Sequence, residues 1–168
     1  HVRTELGLLV KNKDESDTLL VGLIGHGVRY RGSDESYFCP ADANVSGRKN
    51  LISYTELFAA LDDKICKAGL KLLLIDACRN DPLVEDNRGR AEVDLPSVTR
   101  PEKRPVPGGF AAFFSCSPTE KAWSHSSVRH GVFTHFIIKA LDGAADFNGD
   151  GAIELPEVET FVKKEVYD

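Results

Sequence analysis

Three long aliphatic runs separated by helix-like segments predict an α/β fold, with a mostly parallel central sheet flanked by helices. The runs are TLLVGLIG (18–25), KLLLIDA (71–77) and FAAFFSCS (110–117). Their apolar residues run consecutively rather than at every second position, and TLLVGLIG in particular has the pattern of a parallel strand covered on both faces. In such sheets ligands gather beyond the carboxyl ends of the strands.

The elements follow in order. Leu6, Leu9 and Val10 recur at helical spacing within residues 2–10, and the polar KNKDESD then forms a loop. The first strand is expected over 18–25, ending at His26-Gly27. Residues 28–50 are rich in Gly, Ser, Asp and Asn, with YFCPAD as a short strand or hairpin. Ser53 and Glu56 make a capping box ahead of Leu57, Phe58, Leu61 and Ile65, and Gly69 stands where that helix would end. After the strand 71–77, the segment 79–108 holds five of the eight prolines and few large apolar residues, so it reads as an exposed loop. The third strand, 110–117, leads to helices over 132–141 and 156–167 on either side of an Asp- and Gly-rich stretch.

Length and composition point to one domain with a real core: 168 residues, 42% hydrophobic and 28% charged. A net charge of −5 gives no electrostatic footprint for nucleic acid, and no apolar window of about 18 residues could span a membrane. Polypeptides or small solutes are the expected partners. The chain opens on His1 and contains no Met, as expected of a piece of a longer polypeptide. Cys39, Cys66, Cys78 and Cys116 show no CxxC pairing, which argues against a zinc site, gives little support for disulfides and suggests a reducing, cytoplasmic location.

His26 follows the first long strand and Cys78 follows the second. Neighbouring parallel strands would bring both side chains to one edge of the sheet, where an imidazole can take the proton of a thiol that is a weak nucleophile at its ordinary pKa. Gly27 would let a backbone N–H approach an oxyanion, with the amide of Cys78 as a second donor. The competing reading is a small buried cysteine and a His-Gly turn.

The flanking residues sharpen this. LIGHG, followed about fifty residues later by LLIDACRN, resembles the clan of caspases, metacaspases and paracaspases, whose caspase motif is Q-A-C-[RQG]-G. Asp76 replaces the Gln and Asn80 the Gly, which points to the metacaspase and paracaspase branches, closest to bacterial-type paracaspases. The resemblance implies a three-layer cysteine endopeptidase in which Cys78 attacks, His26 moves the proton, and Asp76 helps bind a basic side chain at P1, the residue before the cut bond. SCSPTEKAW (115–123) resembles the paracaspase segment in which a Glu completes that pocket, here Glu120; Trp123 walls a subsite or packs in the core. SVRHGVFTHFIIKAL (127–141) resembles the start of the small-subunit helix. Family members also have a strand before the segment matching residues 2–10, so the first strand is missing from this chain, and a separate N-terminal segment is expected to supply it.

Under this reading residues 1–78 are large-subunit-like, 79–108 join the subunits and 109–168 are small-subunit-like. An enzyme that prefers basic P1 residues could cut its own linker after Arg88 or Arg90, unless the linker is simply a solvated loop. A calcium site is also expected, unless the stretch that would form it is only an Asp-rich turn held by its own hydrogen bonds. DFNGDGAIELPE (146–157) fits an EF-hand loop, with Asp146, Asn148 and Asp150 at alternate positions, Gly151 at the sharp turn, the carbonyl of Ala152 next, Ile153 after it, and Glu157 last. Two further readings compete: an inactive protein-interaction module of the same fold, gated or stabilised by calcium, and a nucleotide-binding domain, which lacks a Gly-rich phosphate loop after a strand.

Overall fold

The computed structural model describes residues 1–77, 109–115 and 131–167, distributed over two units, His1–Lys121 and Ala122–Asp168. The first unit is built on a five-stranded mixed sheet, giving the α/β fold expected. Its strands are β1 (Thr18–Arg29), β2 (Ser36–Cys39), β3 (Ile52–Ser53), β4 (Leu70–Ala77) and β5 (Phe110–Phe114), in the order β3-β2-β1-β4-β5. The pairs β1–β4 and β4–β5 are parallel, whereas β2 runs antiparallel to both β1 and β3.

Two helices cover one face of this sheet. Helix α1 (Val2–Leu9) contributes Leu6, and α2 (Tyr54–Ala60) contributes Tyr54 and Leu57, to a core with Leu19, Val21, Leu23, Leu73 and Ile75. The capping box forms as read, with Ser53 Oγ accepting from the Glu56 N–H at 3.0 Å. Helix α2 then stops at Ala60, well before Gly69, because Asp62 turns the chain: its carbonyl accepts from Ile65 N and Cys66 N. Arg3 joins the helices through a two-pronged pair, Nε to Glu56 Oε1 at 2.5 Å and Nη2 to Glu56 Oε2 at 2.9 Å. Lys71 is buried beneath them, bonded to Asp63 and to the Cys66 carbonyl.

The expectation that β1 is covered on both faces is corrected. Leu19, Val21 and Leu23 are buried while Leu20 and Ile24 are 50% and 54% exposed, so among the described residues of the first unit only one face of the strand is covered. A second correction concerns its length: β1 runs on through His26 and Gly27 to Arg29. Residues 18–25 pair with β4, and residues 26–29 pair with β2 on the other side. Among the described residues, the β2-side edge of Thr18–Gly25 has no partner strand.

In the second unit α3 (Val132–Lys139) continues into a wider turn over Ala140–Ala144, and α4 (Leu155–Tyr167) follows the acidic loop. Phe161 of α4 meets Phe136 edge-on and Phe147 at a tilt, each with ring centroids 6.4 Å apart. No helix among the described residues is long and apolar enough to cross a membrane.

Candidate active site

The site is organised by the point where β1 changes partners. Gly25 is the last residue paired with β4, opposite Ala77, and His26 is the first paired with β2, opposite Cys39. Gly25 makes the change possible: its φ of 154° is rarely adopted by residues with side chains. His26 is exposed and Gly27 buried, the latter opposite Phe38.

Side chains alternate across a sheet. Leu23 and Gly27 therefore face the helix-covered core, while Ile24, His26, Val28 and Tyr30 face the other way. On β4, Leu73 and Ile75 belong to the core, so Asp76 lies on the same face as Ile24, its partner in the register. Asp76 is nevertheless only 5% exposed. The parallel register thus brings a buried carboxylate and an exposed imidazole to one face of adjacent strands.

Sequence reasoning missed one neighbour. Cys39 stands directly across from His26, half-buried beside Val28, Tyr30 and Leu51. Burial pushes its thiol above the ordinary range, which disfavours the thiolate that nucleophilic attack needs. Cys66 is fully buried in the helix-covered core. A hint of Cys39's place was present in the alternation of Val28 and Tyr30 against Tyr37 and Cys39, a short antiparallel hairpin. Tyr30 is held there by its hydroxyl to the Val45 carbonyl at 2.5 Å and by the Arg48 guanidinium 4.2 Å above its ring.

Cys78, Glu120 and Trp123, with the cleavage candidates Arg88 and Arg90, lie outside the described residues. Ala77, immediately before Cys78 in sequence, is the last described residue of β4.

The acidic loop is described throughout. Asp146 accepts from the N–H groups of Gly149 at 2.8 Å and Gly151 at 3.0 Å, Asn148 from Asp150 at 2.8 Å, and Asp150 from Ala152 at 2.8 Å. Glu157 reaches back across the loop to the amides of Phe147 at 3.3 Å and Glu154 at 3.0 Å. Gly151 takes a φ of 79°, the left-handed turn that its position requires. Among the described residues no three His, Cys, Asp or Glu side chains are gathered as a metal-binding group. Each carboxylate oxygen here that accepts one amide still has a second lone pair for a hard cation.

A family model for the caspase domain matches residues 1–168 of the chain. No curated protein matches it.

Proposed function

Because the chain belongs to the caspase domain family, whose members are cysteine peptidases acting on proteins, we propose that it is an endopeptidase cleaving after Arg or Lys by a Cys78–His26 dyad. The observation that carries this reading is the register of β1 and β4. It pairs Gly25 with Ala77, and the next residues in sequence are His26 and Cys78. In the proposed cycle Cys78 Sγ attacks the scissile carbonyl as His26 takes the thiol proton. His26 then gives that proton to the leaving amine, and water releases the acyl group. Amides of Gly27 and Cys78 stabilise the oxyanion. Asp76 and Glu120 pair with the P1 cation while Trp123 walls a neighbouring subsite. Residues 1–78 and 109–168 then act as large- and small-subunit-like parts of one peptidase domain, with Arg88 and Arg90 in the linker as sites of self-cleavage.

The calcium ion belongs to this proposal too. The Asp146, Asn148 and Asp150 side chains, the Ala152 carbonyl and the Glu157 carboxylate are oxygen donors of the kind a hard cation takes, and the loop lies between α3 and α4. Its role would be to fix those helices rather than to join the chemistry. One experiment tests both parts: hydrolysis of fluorogenic peptides that differ only at P1, in Ca²⁺ and in chelator, with melting curves recorded alongside. Expected are turnover after Arg and Lys, none after Asp, and a Tm that rises with Ca²⁺ in the native chain but not in Glu157→Gln. Turnover after Asp sinks the assignment of Asp76 and Glu120. A Tm indifferent to Ca²⁺ sinks the metal site.

The open β1 edge supports the last part of the reading, that a strand from polypeptide outside these residues completes the sheet. Its backbone groups over Thr18–Gly25 have no strand partner on that side among the described residues. The edge also carries none of the charges or prolines that ordinarily discourage pairing. Hydrogen exchange reports this directly: amides of β1 facing that edge should exchange many-fold more slowly once polypeptide supplying such a strand is present than in this 168-residue chain alone. Equal rates in both would refute the added strand.

A further inference from the structure

We infer that the Ser115 hydroxyl is a further specificity determinant, accepting a guanidinium N–H from the substrate and thereby selecting Arg over Lys at P1. The inference rests on the peptidase reading proposed above, and deepens it at the basic-side-chain pocket. Three observations converge on it. The last β4–β5 rung pairs Ile75 with Phe114 and is closed by the Ser115 N–H donating to the Ile75 carbonyl at 3.0 Å; Ser115 follows Phe114 as Asp76 follows Ile75, which puts the two at adjoining ends of β5 and β4. Phe114 packs into the helix-covered core, as Ile75 does, so by alternation Ser115 and Asp76 share the opposite face. Finally, Ser115 Oγ is buried and, among the described residues, has no hydrogen-bond partner.

A buried hydroxyl without a partner is costly, and in native proteins it commonly marks a place where a ligand or water completes the bond. Here its surroundings specify the ligand. Ile24 offers an exposed apolar surface next to Asp76, suited to the methylene stem of a long basic side chain. Asp76 supplies the counter-charge, and Ser115 stands one strand further on, about 4.8 Å across the sheet. A lysine ammonium carries its three donors on a single nitrogen and is satisfied at one point. A guanidinium presents five N–H groups in a flat fork, so that after two of them pair with Asp76 a third edge is left facing the neighbouring strand. The Ser115 oxygen is the acceptor in that direction.

The test compares kcat/KM for two fluorogenic peptides that differ only in Arg or Lys at P1, using the native chain, Ser115→Ala and Ser115→Thr. The native chain should prefer Arg. Ser115→Ala should lower kcat/KM for the Arg peptide about tenfold and for the Lys peptide less than about twofold, and Ser115→Thr, which keeps the hydroxyl, should restore the Arg preference. The Tm of Ser115→Ala should equal or exceed that of the native chain, because among the described residues no hydrogen bond is lost. A fall in Tm, an equal loss on both peptides, or an unchanged Arg-to-Lys ratio overturns the role of Ser115 while leaving the peptidase intact. If the chain, together with polypeptide supplying the strand proposed to complete its sheet, cleaves neither peptide, the underlying reading fails and this inference falls with it.

Discussion

Cys78→Ala and His26→Ala should each lower kcat/KM on an Arg-P1 peptide at least about a thousandfold, with far-ultraviolet circular dichroism unchanged. The two losses should be similar and should not multiply in the double variant, since a nucleophile without its base and a base without its nucleophile leave the same incomplete machine. The informative control is Cys39→Ser. Cys39 lies directly opposite His26 in the β1–β2 register, closer on the sheet than any other described cysteine, and a reader with the fold alone could choose it as the nucleophile. Burial raises its thiol pKa, so little thiolate is available near neutral pH. Cys39→Ser should therefore retain activity within about twofold, and alkylation by an Arg-bearing peptide electrophile should fall on Cys78. Loss of activity in Cys39→Ser, with Cys78→Ala active, would reverse the assignment.

How much of this could be read from the chain depended on whether neighbouring residues carried contrasting signals. Helix α2 began where Ser53 and Glu56 said it would, because a cap is a local hydrogen bond between residues three apart. Its end was misjudged because Ile65 continues the apolar spacing, and periodicity carries no information about the turn made by Asp62. For β1 the difficulty was different. The apolar residues of TLLVGLIG run without alternation, so nothing in it says that Leu20 and Ile24 are exposed while Val21 and Leu23 are buried. The strand's extension through His26 was hidden by its partner, since residues 26–29 are strand only because β2 pairs with them. That pairing is a tertiary fact. The same holds for Ser115: it falls within the expected third strand, 110–117, but nothing in FAAFFSCS says which strand lies alongside until the register sets Phe114 opposite Ile75.

Removing the charge of Asp76 should change what the enzyme accepts more than whether it works. Asp76→Asn keeps the volume of a side chain that is only 5% exposed, and on the proposed reading it deletes the counter-ion for a basic P1 side chain. Truncating one partner of a desolvated charge pair typically costs about 2–5 kcal/mol, so kcat/KM for Arg and Lys peptides should fall by roughly a hundredfold or more. A peptide with neutral Gln at P1 never drew on that charge, and its slow cleavage should change by only a few-fold. The ratio of basic to neutral P1 turnover is thus the quantity to measure, at two salt concentrations. A contact screened by bulk ions would weaken with added salt, whereas one inside a buried pocket should hold nearly constant. Equal losses on all peptides would mean that Asp76 supports the end of β4 and the position of Cys78 instead of reading the substrate. That outcome would also remove the ground for pairing Ser115 with it, because the hydroxyl selects Arg only if the carboxylate next to it has already drawn the guanidinium in.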